Sequence, residues 1–128
     1  MSENISTNVK TINIYIPRGD YRVIPISFFR NGTKKKLDED DDIYLTACSL
    51  IDNSIKFQKT LSNGISFNEE TMNYEIEINP EDTENLVLSQ KYGYDIVVFY
   101  GKNKLPSQKV VGEISLSKKY SIIVIDEG

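Results

Sequence analysis

Carboxylates are the side chains of this sequence with the widest scope for chemistry, and their densest run is Asp38–Asp42. Carboxylate oxygens are the hard ligands that Ca²⁺ prefers. The run lacks the central glycine and the glutamate at the twelfth loop position that an EF-hand requires. Lys34–Lys36 precede it almost directly and neutralise part of its charge. We therefore interpret the run as a solvated loop, which is the usual role of a block of like charges.

A second set of carboxylates raises the question of glycoside hydrolysis, which needs two carboxyl groups across a cleft, one of them with a raised pKa. Alternation places Glu75 and Glu77 on the polar face of a strand, and Glu81 follows a helix start, where acidic residues have an ordinary structural role. We therefore predict no catalytic residue in this set, whose members are Glu75, Glu77, Glu81, Asp82, Glu84 and Asp95.

Other reactive side chains are scarce. The sequence contains no histidine, so the commonest general base and metal ligand is missing. Cys48 is the single cysteine, which excludes an internal disulfide and makes a zinc site very unfavourable. Because Cys48 lies inside the apolar run Ile43–Leu50, we expect it to be a small buried hydrophobic side chain. The sequence thus predicts a protein that is not an enzyme and that holds no cofactor or metal.

Charge and hydropathy restrict the partners. The net charge is −4, from 15 basic and 19 acidic residues, which disfavours nucleic acid because its binding depends on clustered Lys and Arg. Met1–Val9 is polar and has no apolar core region of a signal peptide. The longest apolar runs are too short to cross a bilayer. We therefore expect synthesis in the cytosol and neither a nucleic-acid nor a membrane partner.

Two binding motifs were weighed against structural roles. Arg18–Asp20 spells the integrin-recognition tripeptide, but a glycine between two strands is explained by the turn that it permits. Tyrosine is enriched at interfaces, and aromatic faces also stack on sugars. We predict surface positions for Tyr15, Tyr44 and Tyr120, so a carbohydrate-binding platform remains an alternative.

Alternation of apolar and polar residues predicts mainly strands. Pro25 has no backbone N–H, so its strand must be an edge strand or bulge at that point. Asn79 and Pro80 begin one short helical turn, Pro80–Asn85. The main predicted strands are Thr11–Ile16, Tyr21–Phe29, Ile43–Leu50, Ile55–Leu61, Met72–Ile78, Tyr92–Tyr100, Lys109–Leu116 and Tyr120–Ile125.

Roughly nine short strands at this spacing predict an all-β fold, an immunoglobulin-like antiparallel β-sandwich with one short helical turn. Residues 1–8 are expected to form a flexible N-terminal arm and residues 9–128 a single β-sandwich domain. On the inward face Tyr94 should be buried, with its hydroxyl hydrogen-bonded, because an unpaired buried hydroxyl is costly. The predicted core also contains Ile14, Ile16, Leu45, Ile76, Ile78, Ile96 and Val98. Alternation further places Ile55, Phe57 and Leu61 inward and Tyr100 on a core face. The strand Ile43–Leu50 is apolar on both sides, which indicates a central strand.

The segment Tyr120–Ile125 is strongly apolar for the end of a chain. An unpaired strand edge there would invite pairing with other chains. It is either the last strand of its own sheet or a strand that augments the sheet of a neighbour.

The order of these elements resembles a known group of proteins. The motif PEDTxxL, here Pro80–Thr83 with Leu86, and the motif YxYDI, here Tyr92 with Tyr94–Ile96, are similar to elements of small β-sandwich structural proteins of tailed phages. The resemblance is to the N-terminal domain of phage baseplate upper proteins and to stand-alone phage tail proteins. It covers roughly residues 13–125. The spacer Val87–Lys91 is longer than in that group, and no receptor-binding extension follows Gly128, which favours a small adaptor, collar or decoration subunit.

The resemblance implies a non-enzymatic structural or adaptor subunit of a phage or phage-tail-like particle, in the tail or baseplate. The alternatives are a capsid decoration protein of the virion head and a carbohydrate-binding module. The implied partners are other virion or tail subunits and repeated copies in a symmetric particle. The implied location is the virion or phage-tail-like particle, with the host cytoplasm as the site of assembly.

Overall fold

The computed structural model describes residues 9–127. The flexible arm predicted for residues 1–8 and the predicted end of the domain at Gly128 lie outside the described residues. Residues 9–127 contain one helix, α1, which spans Pro80–Thr83. The strands are β1 (Lys10–Thr11), β2 (Ile14–Tyr15), β3 (Arg22–Arg30), β4 (Thr33–Lys34), β5 (Asp42–Ser49), β6 (Ile55–Leu61), β7 (Gly64–Asn68), β8 (Asn73–Ile78), β9 (Tyr92–Tyr100), β10 (Leu105–Ser115) and β11 (Ile123–Asp126).

The strands form one curled, mixed sheet, in the order β1-β10-β9-β5-β6-β7-β8-β3-β11, with β2 also on β10 and β4 on β3. The prediction of an all-β fold with one helical turn is confirmed, with 3% of the described residues in helix. The prediction of purely antiparallel pairing is wrong. Four ladders are parallel: β1 with β10, β2 with β10, β6 with β7 and β3 with β11.

The parallel ladders have a topological cause. The β6–β7 connection turns at Ser62, whose φ is +62°, and at Gly64, whose φ is +100°. This turn brings the start of β7 alongside the end of β6, where the two strands pair in parallel at two positions, Thr60 with Gly64 and Leu61 with Ile65. The N-terminal strands β1 and β2 and the C-terminal strand β11 are instead joined to their partners, β10 and β3, by long stretches of chain, which permit parallel pairing.

The seven aliphatic residues predicted for the core are all buried. Ile14, Ile16, Leu45, Ile76 and Ile78 are fully buried, as are Ile96 and Val98. They belong to one cluster of apolar side chains that also includes Phe28, Tyr74 and Ile123. The central position predicted for Ile43–Leu50 is confirmed, because β5 pairs with β6 on one side and β9 on the other.

The predicted strand Thr11–Ile16 is divided between β1 and β2, and the division has a specific cause. A Cβ on Gly112 would come within 1.9 Å of the carbonyl oxygen of Ile12. The hydroxyl of Tyr94, which pairs with Gly112 across the β9–β10 ladder, donates a 2.7 Å hydrogen bond to that same oxygen. The kink thus exists because glycine leaves room for it. The predicted burial and hydrogen bonding of Tyr94 are confirmed.

Strand β6 departs from simple alternation. We predicted Ile55, Phe57 and Leu61 on its inward face. Phe57 is buried and Leu61 partly buried, but the side chain of Ile55 is 65% exposed. The register with β5 shifts between Ala47 and Cys48, so a bulge reverses the direction of the residues before Phe57.

The prediction for Pro25 agrees with the ladders. Pro25 pairs with Glu75 of β8 on one side. On the other side the ladder with β11 begins only at Ile26, so β3 is an edge strand there. The segment Tyr120–Ile125 follows the first of its two alternatives: β11 is the last strand of its own sheet, with Ile123 and Ile125 buried.

The sheet curls so that β11 lies near the strands that pair with β10, and side chains join the two along a line that we call the seam. At one end the hydroxyl of Ser121 accepts a 2.7 Å hydrogen bond from the Tyr15 N–H. At the other end the carboxylate of Glu127, only 5% exposed, lies 3.2 Å from the Lys109 ammonium and 3.4 Å from the Arg30 guanidinium. It also accepts a hydrogen bond from Tyr100. Tyr100, expected on the core face, is half-buried at this seam.

Helix α1 is anchored by a second buried ion pair. The Asp82 carboxylate accepts a 2.7 Å hydrogen bond from the Asn79 N–H, which caps the helix. The same carboxylate lies 2.7 Å from the Lys59 ammonium, and both side chains are mostly buried. Because removal of either partner would leave an uncompensated buried charge, this pair fixes α1 against β6.

We predict that Tyr94→Ala lowers the free energy of unfolding by about 3 kcal/mol or more, as for other large-to-small core changes. Tyr94→Phe should cost only about 1 kcal/mol, the usual contribution of one hydrogen bond. Chemical denaturation of both variants measures the two values. A loss below about 1 kcal/mol for Tyr94→Ala, which is the scale of surface substitutions, would contradict the inward position of its ring.

We also predict loss of stability at alkaline pH. Burial raises the pKa of Tyr74, Tyr94 and Tyr100, and the hydrogen bond to Glu127 raises that of Tyr100 further. The unfolded chain loses these phenolic protons near pH 10, whereas the folded protein retains them, so stability is present below about pH 10 and falls above it. The phenolate absorbance of these three tyrosines should therefore appear together with the loss of the native circular dichroism, after the exposed tyrosines have ionised in the folded protein. Ionisation of all eight tyrosines with an intact native spectrum would be the opposite result.

Candidate interaction surfaces

The acidic run Asp38–Asp42 has a structural anchor at Asp41. Its carboxylate accepts hydrogen bonds from the N–H groups of Asp38, at 3.0 Å, and Gly101, at 2.9 Å. Asp41 is buried, whereas Glu39 and Asp40 are exposed. The run is therefore a charged loop tied to the β9–β10 turn. Within residues 9–127 no group of three or more Asp, Glu or Cys side chains is placed to hold a metal ion.

The carboxylates considered for hydrolysis do not meet in one cleft. Glu77 accepts a 2.8 Å hydrogen bond from the Tyr21 hydroxyl, and Glu75 one of 3.2 Å from the Asn68 amide. Asp82 holds Lys59, and Asp95 accepts a 3.2 Å hydrogen bond from Gln108. Glu81 and Glu84 are exposed around α1.

The tripeptide Arg18–Asp20 forms a turn that packs on α1. Gly19 has a φ of +79°, which favours glycine. Its N–H donates a 2.9 Å hydrogen bond to the Thr83 hydroxyl, and the Arg18 guanidinium reaches the Leu86 carbonyl at 3.3 Å. These contacts attach the β2–β3 connection to the β8–β9 connection, which accounts for the glycine.

The expectation that Cys48 is buried is wrong. It lies on the outer face of β5 and is partly exposed. The inward residues of β5 are Ile43, Leu45, Ala47 and Ser49.

The three tyrosines proposed as a sugar platform lie on separate strands or connections. Tyr44 is half-buried and packs edge-on against Phe99, with 5.1 Å between ring centroids. Tyr15 is half-buried beneath the Lys119 ammonium, which lies 5.3 Å from its ring. Only Tyr120 is fully exposed, at 86%.

A depression on the outer face of β10, β9 and β5 is the first candidate surface, which we call the glycine groove. Its volume is about 380 Å³. The ladder registers place Glu113, Gly93 and Cys48 in one row across the three strands. Gly93 contributes no side chain, and its position at the centre of this row is covered by the side chain of Leu50. The residues that line the groove are Thr46, Cys48, Leu50, Asn53, Ile55, Gly93, Tyr94, Asp95, Val111 and Gly112.

The rim of the glycine groove is apolar on one side and acidic on the other. Leu50, Ile51 and Ile55 are exposed beside it, with Ile51 at 70%. The side chain of Leu50 lies over Gly93, since a Cβ added to Gly93 would be 2.8 Å from Cδ2 of Leu50. Asp95 and the exposed Glu113 supply carboxylates along β9 and β10. An exposed apolar surface of this kind is typical of contact with another protein.

The second candidate surface is a stripe of alternate residues that begins before β11 and ends within it, which we call the β11 stripe: Tyr120, Ile122 and Val124. Their exposed fractions are 86%, 67% and 38%. Ser121, Ile123 and Ile125 alternate with them and are buried. The Arg22 guanidinium stacks over the Tyr120 ring at 5.1 Å and donates a hydrogen bond to the Lys119 carbonyl at 2.8 Å.

Sequence reasoning identified neither surface as a site. The apolar character of the last strand was a visible signal, but it does not tell which residues point outward. The groove gave no signal, because Gly93 and Cys48 become neighbours only through the β5–β9 register.

Comparison of the sequence with protein-family models gives no match, and comparison with curated proteins gives none either. Among residues 9–127 no helix has the length and apolar character needed to cross a membrane.

We predict that Cys48 reacts with a thiol reagent in the folded, dilute protein, because its side chain is partly exposed in the glycine groove. Mass spectrometry of native and denaturant-unfolded samples measures the two rates. Native modification should proceed without denaturant, although more slowly than in the unfolded chain. If Cys48 were modified only after unfolding, its placement on the outer face would be wrong.

Proposed function

We propose that this protein is a non-enzymatic structural or adaptor subunit of a phage or phage-tail-like particle, placed in the tail or baseplate. The observation that carries the proposal is the pair of exposed apolar surfaces, the glycine groove and the β11 stripe, on a sheet whose seam is fixed by buried ion pairs. Exposed apolar patches on a rigid scaffold mark contact sites for other proteins. The proposed partners are other virion or tail subunits and further copies of this chain.

The resemblance to phage β-sandwich proteins gives the proposal its particular setting. Its motif residues have structural roles here: α1 is the segment Pro80–Thr83, and Leu86 is buried. Thr83 receives the Gly19 N–H, and Asp82 holds Lys59. Because these motif residues stabilise the fold, they support the proposal of a structural subunit.

We further propose that the curled sheet is an immunoglobulin-like sandwich whose two layers remain joined at β6 and β7. One layer is then β10-β9-β5-β6 and the other β7-β8-β3-β11. The short β6–β7 ladder, with two paired positions, supports this division. The hydroxyl of Tyr92, at the start of β9, accepts a 2.9 Å hydrogen bond from the Val87 N–H. A tyrosine bonded to the backbone a few residues upstream is a feature of immunoglobulin-like corners.

The test is to locate the protein in purified particles from host cells that carry the gene. Gold-labelled antibodies against the purified protein should bind the tail or baseplate region in electron micrographs. Competition with free protein is the control. Labelling on the head would favour the decoration alternative, and particles without the protein would contradict the proposal.

A glycan array with the purified domain addresses the carbohydrate-binding alternative. We expect no saturable binding, because Tyr15 and Tyr44 are half-buried against other side chains. Saturable binding that is lost in Tyr15→Ala or Tyr44→Ala would support a carbohydrate-binding module in place of a structural subunit.

A further inference from the structure

We propose that the β11 stripe of one copy docks into the glycine groove of a second copy, in a head-to-tail contact. The inference deepens the proposed function and rests on it only for its biological setting, since the contact itself is a property of the purified chain. It commits to a second copy of this protein as the occupant of both surfaces.

The shapes of the two surfaces fit each other. Tyr120 and Ile122 lie directly before β11 and are exposed by 86% and 67%. At the centre of the groove, between Glu113 and Cys48, Gly93 contributes no side chain and is covered by the flexible side chain of Leu50, which the docked stripe displaces. Its rim residues Leu50 and Ile55 supply apolar contact on the β5–β6 side. Large aromatic side chains that enter such depressions supply much of the energy of protein interfaces.

The charges of the two surfaces are also complementary. The Tyr120 end of the stripe carries Arg22, Lys118 and Lys119, of which the guanidinium of Arg22 lies over the Tyr120 ring. The groove carries the carboxylates of Asp95 and Glu113. Opposite potentials across an interface favour the correct partner and orientation.

Charges of the opposite kind also lie near each surface. Glu77 is beside the stripe and is engaged by the Tyr21 hydroxyl. Two lysines lie at the apolar side of the groove: Lys56, which interacts with Asp52, and the exposed Lys91, whose carbonyl accepts a 3.0 Å hydrogen bond from the Leu50 N–H. The basic end of the stripe therefore faces the acidic side of the groove, formed by Asp95 and Glu113.

The contact must join two molecules, because both surfaces face outward from the same sheet. The groove lies on β10, β9 and β5, whereas the stripe lies on β11 and the residues directly before it. Two different surfaces in contact give a heterologous interface, which builds rings when the rotation closes and filaments when it does not. Repeated subunits of a symmetric particle require this property.

The experiment is a complementation of two variants that each lose one surface. Ile122→Asp removes the stripe, and Ile55→Asp removes the groove. Both changes introduce a negative charge, so the two altered surfaces repel each other. Sedimentation velocity should show that the unaltered chain gains mass with concentration and that each variant alone remains a monomer. An equimolar mixture should form a one-to-one dimer and nothing larger, because one intact stripe meets one intact groove.

Leu105→Asp is the matched control. Leu105 is 64% exposed and belongs to neither surface, so this variant should associate like the unaltered chain. Circular dichroism of every variant confirms folding. In the associating samples the modification of Cys48 should slow with concentration, because the docked stripe covers the groove; Ile122→Asp should abolish that protection.

Three results would overturn the inference. The first is an unaltered chain that stays monomeric up to about 1 mM, where association would be worth less than about 4 kcal/mol. The second is an equimolar mixture of the variants that stays monomeric, and the third is loss of association in only one of the two variants. A chain found in tails but monomeric in solution would refute this inference and leave the proposed function in place. Head-to-tail association by a chain that is absent from particles would support this inference and contradict the proposed function.

Discussion

The seam of the curled sheet depends on one buried carboxylate. Glu127 brings together the ammonium of Lys109, the guanidinium of Arg30 and the hydroxyl of Tyr100, and thus joins β11 to β10, β3 and β9. A buried charge is tolerated only when it is paired and hydrogen-bonded, so these partners fix the position of the last strand. With β11 held along β3, its outward residue Val124 and the preceding residues Tyr120 and Ile122 become a fixed surface.

Glycines shape the opposite end of the sheet in a related way. Gly112 leaves room for the Ile12 carbonyl, which receives the Tyr94 hydroxyl and holds the N-terminal strands on β10. Gly93 has no side chain on the other face of β9, and the flexible Leu50 side chain lies over this position. One glycine therefore anchors the edge of the sheet, and the other leaves a groove floor that only a movable side chain covers. The proposed assembly uses the second effect, since an apolar side chain of a neighbour can displace Leu50 from this position.

Local pattern predicted much of the fold and little of its surface. Alternation identified β8 with its buried Ile76 and Ile78, and it placed Tyr94 inward, because each of these depends only on residues close in sequence. The kink at Ile12 was missed because its cause is Gly112, far along the chain. Ile55 was misplaced because a bulge reverses the local alternation, and Cys48 because both faces of its strand look apolar in the sequence. The groove depends on cross-strand neighbours, which the sequence does not specify.

The account proposes a repeated subunit whose copies meet stripe to groove within a phage or phage-tail-like particle. Lysine cross-linking and mass spectrometry of purified particles test this claim directly, because Lys118 and Lys119 lie at the stripe and Lys56 lies beside the groove. The account predicts links from Lys118 or Lys119 to Lys56 in particles, and their absence from the monomeric Ile122→Asp variant. Particles that contain the protein but give only the links of the isolated monomer would contradict it.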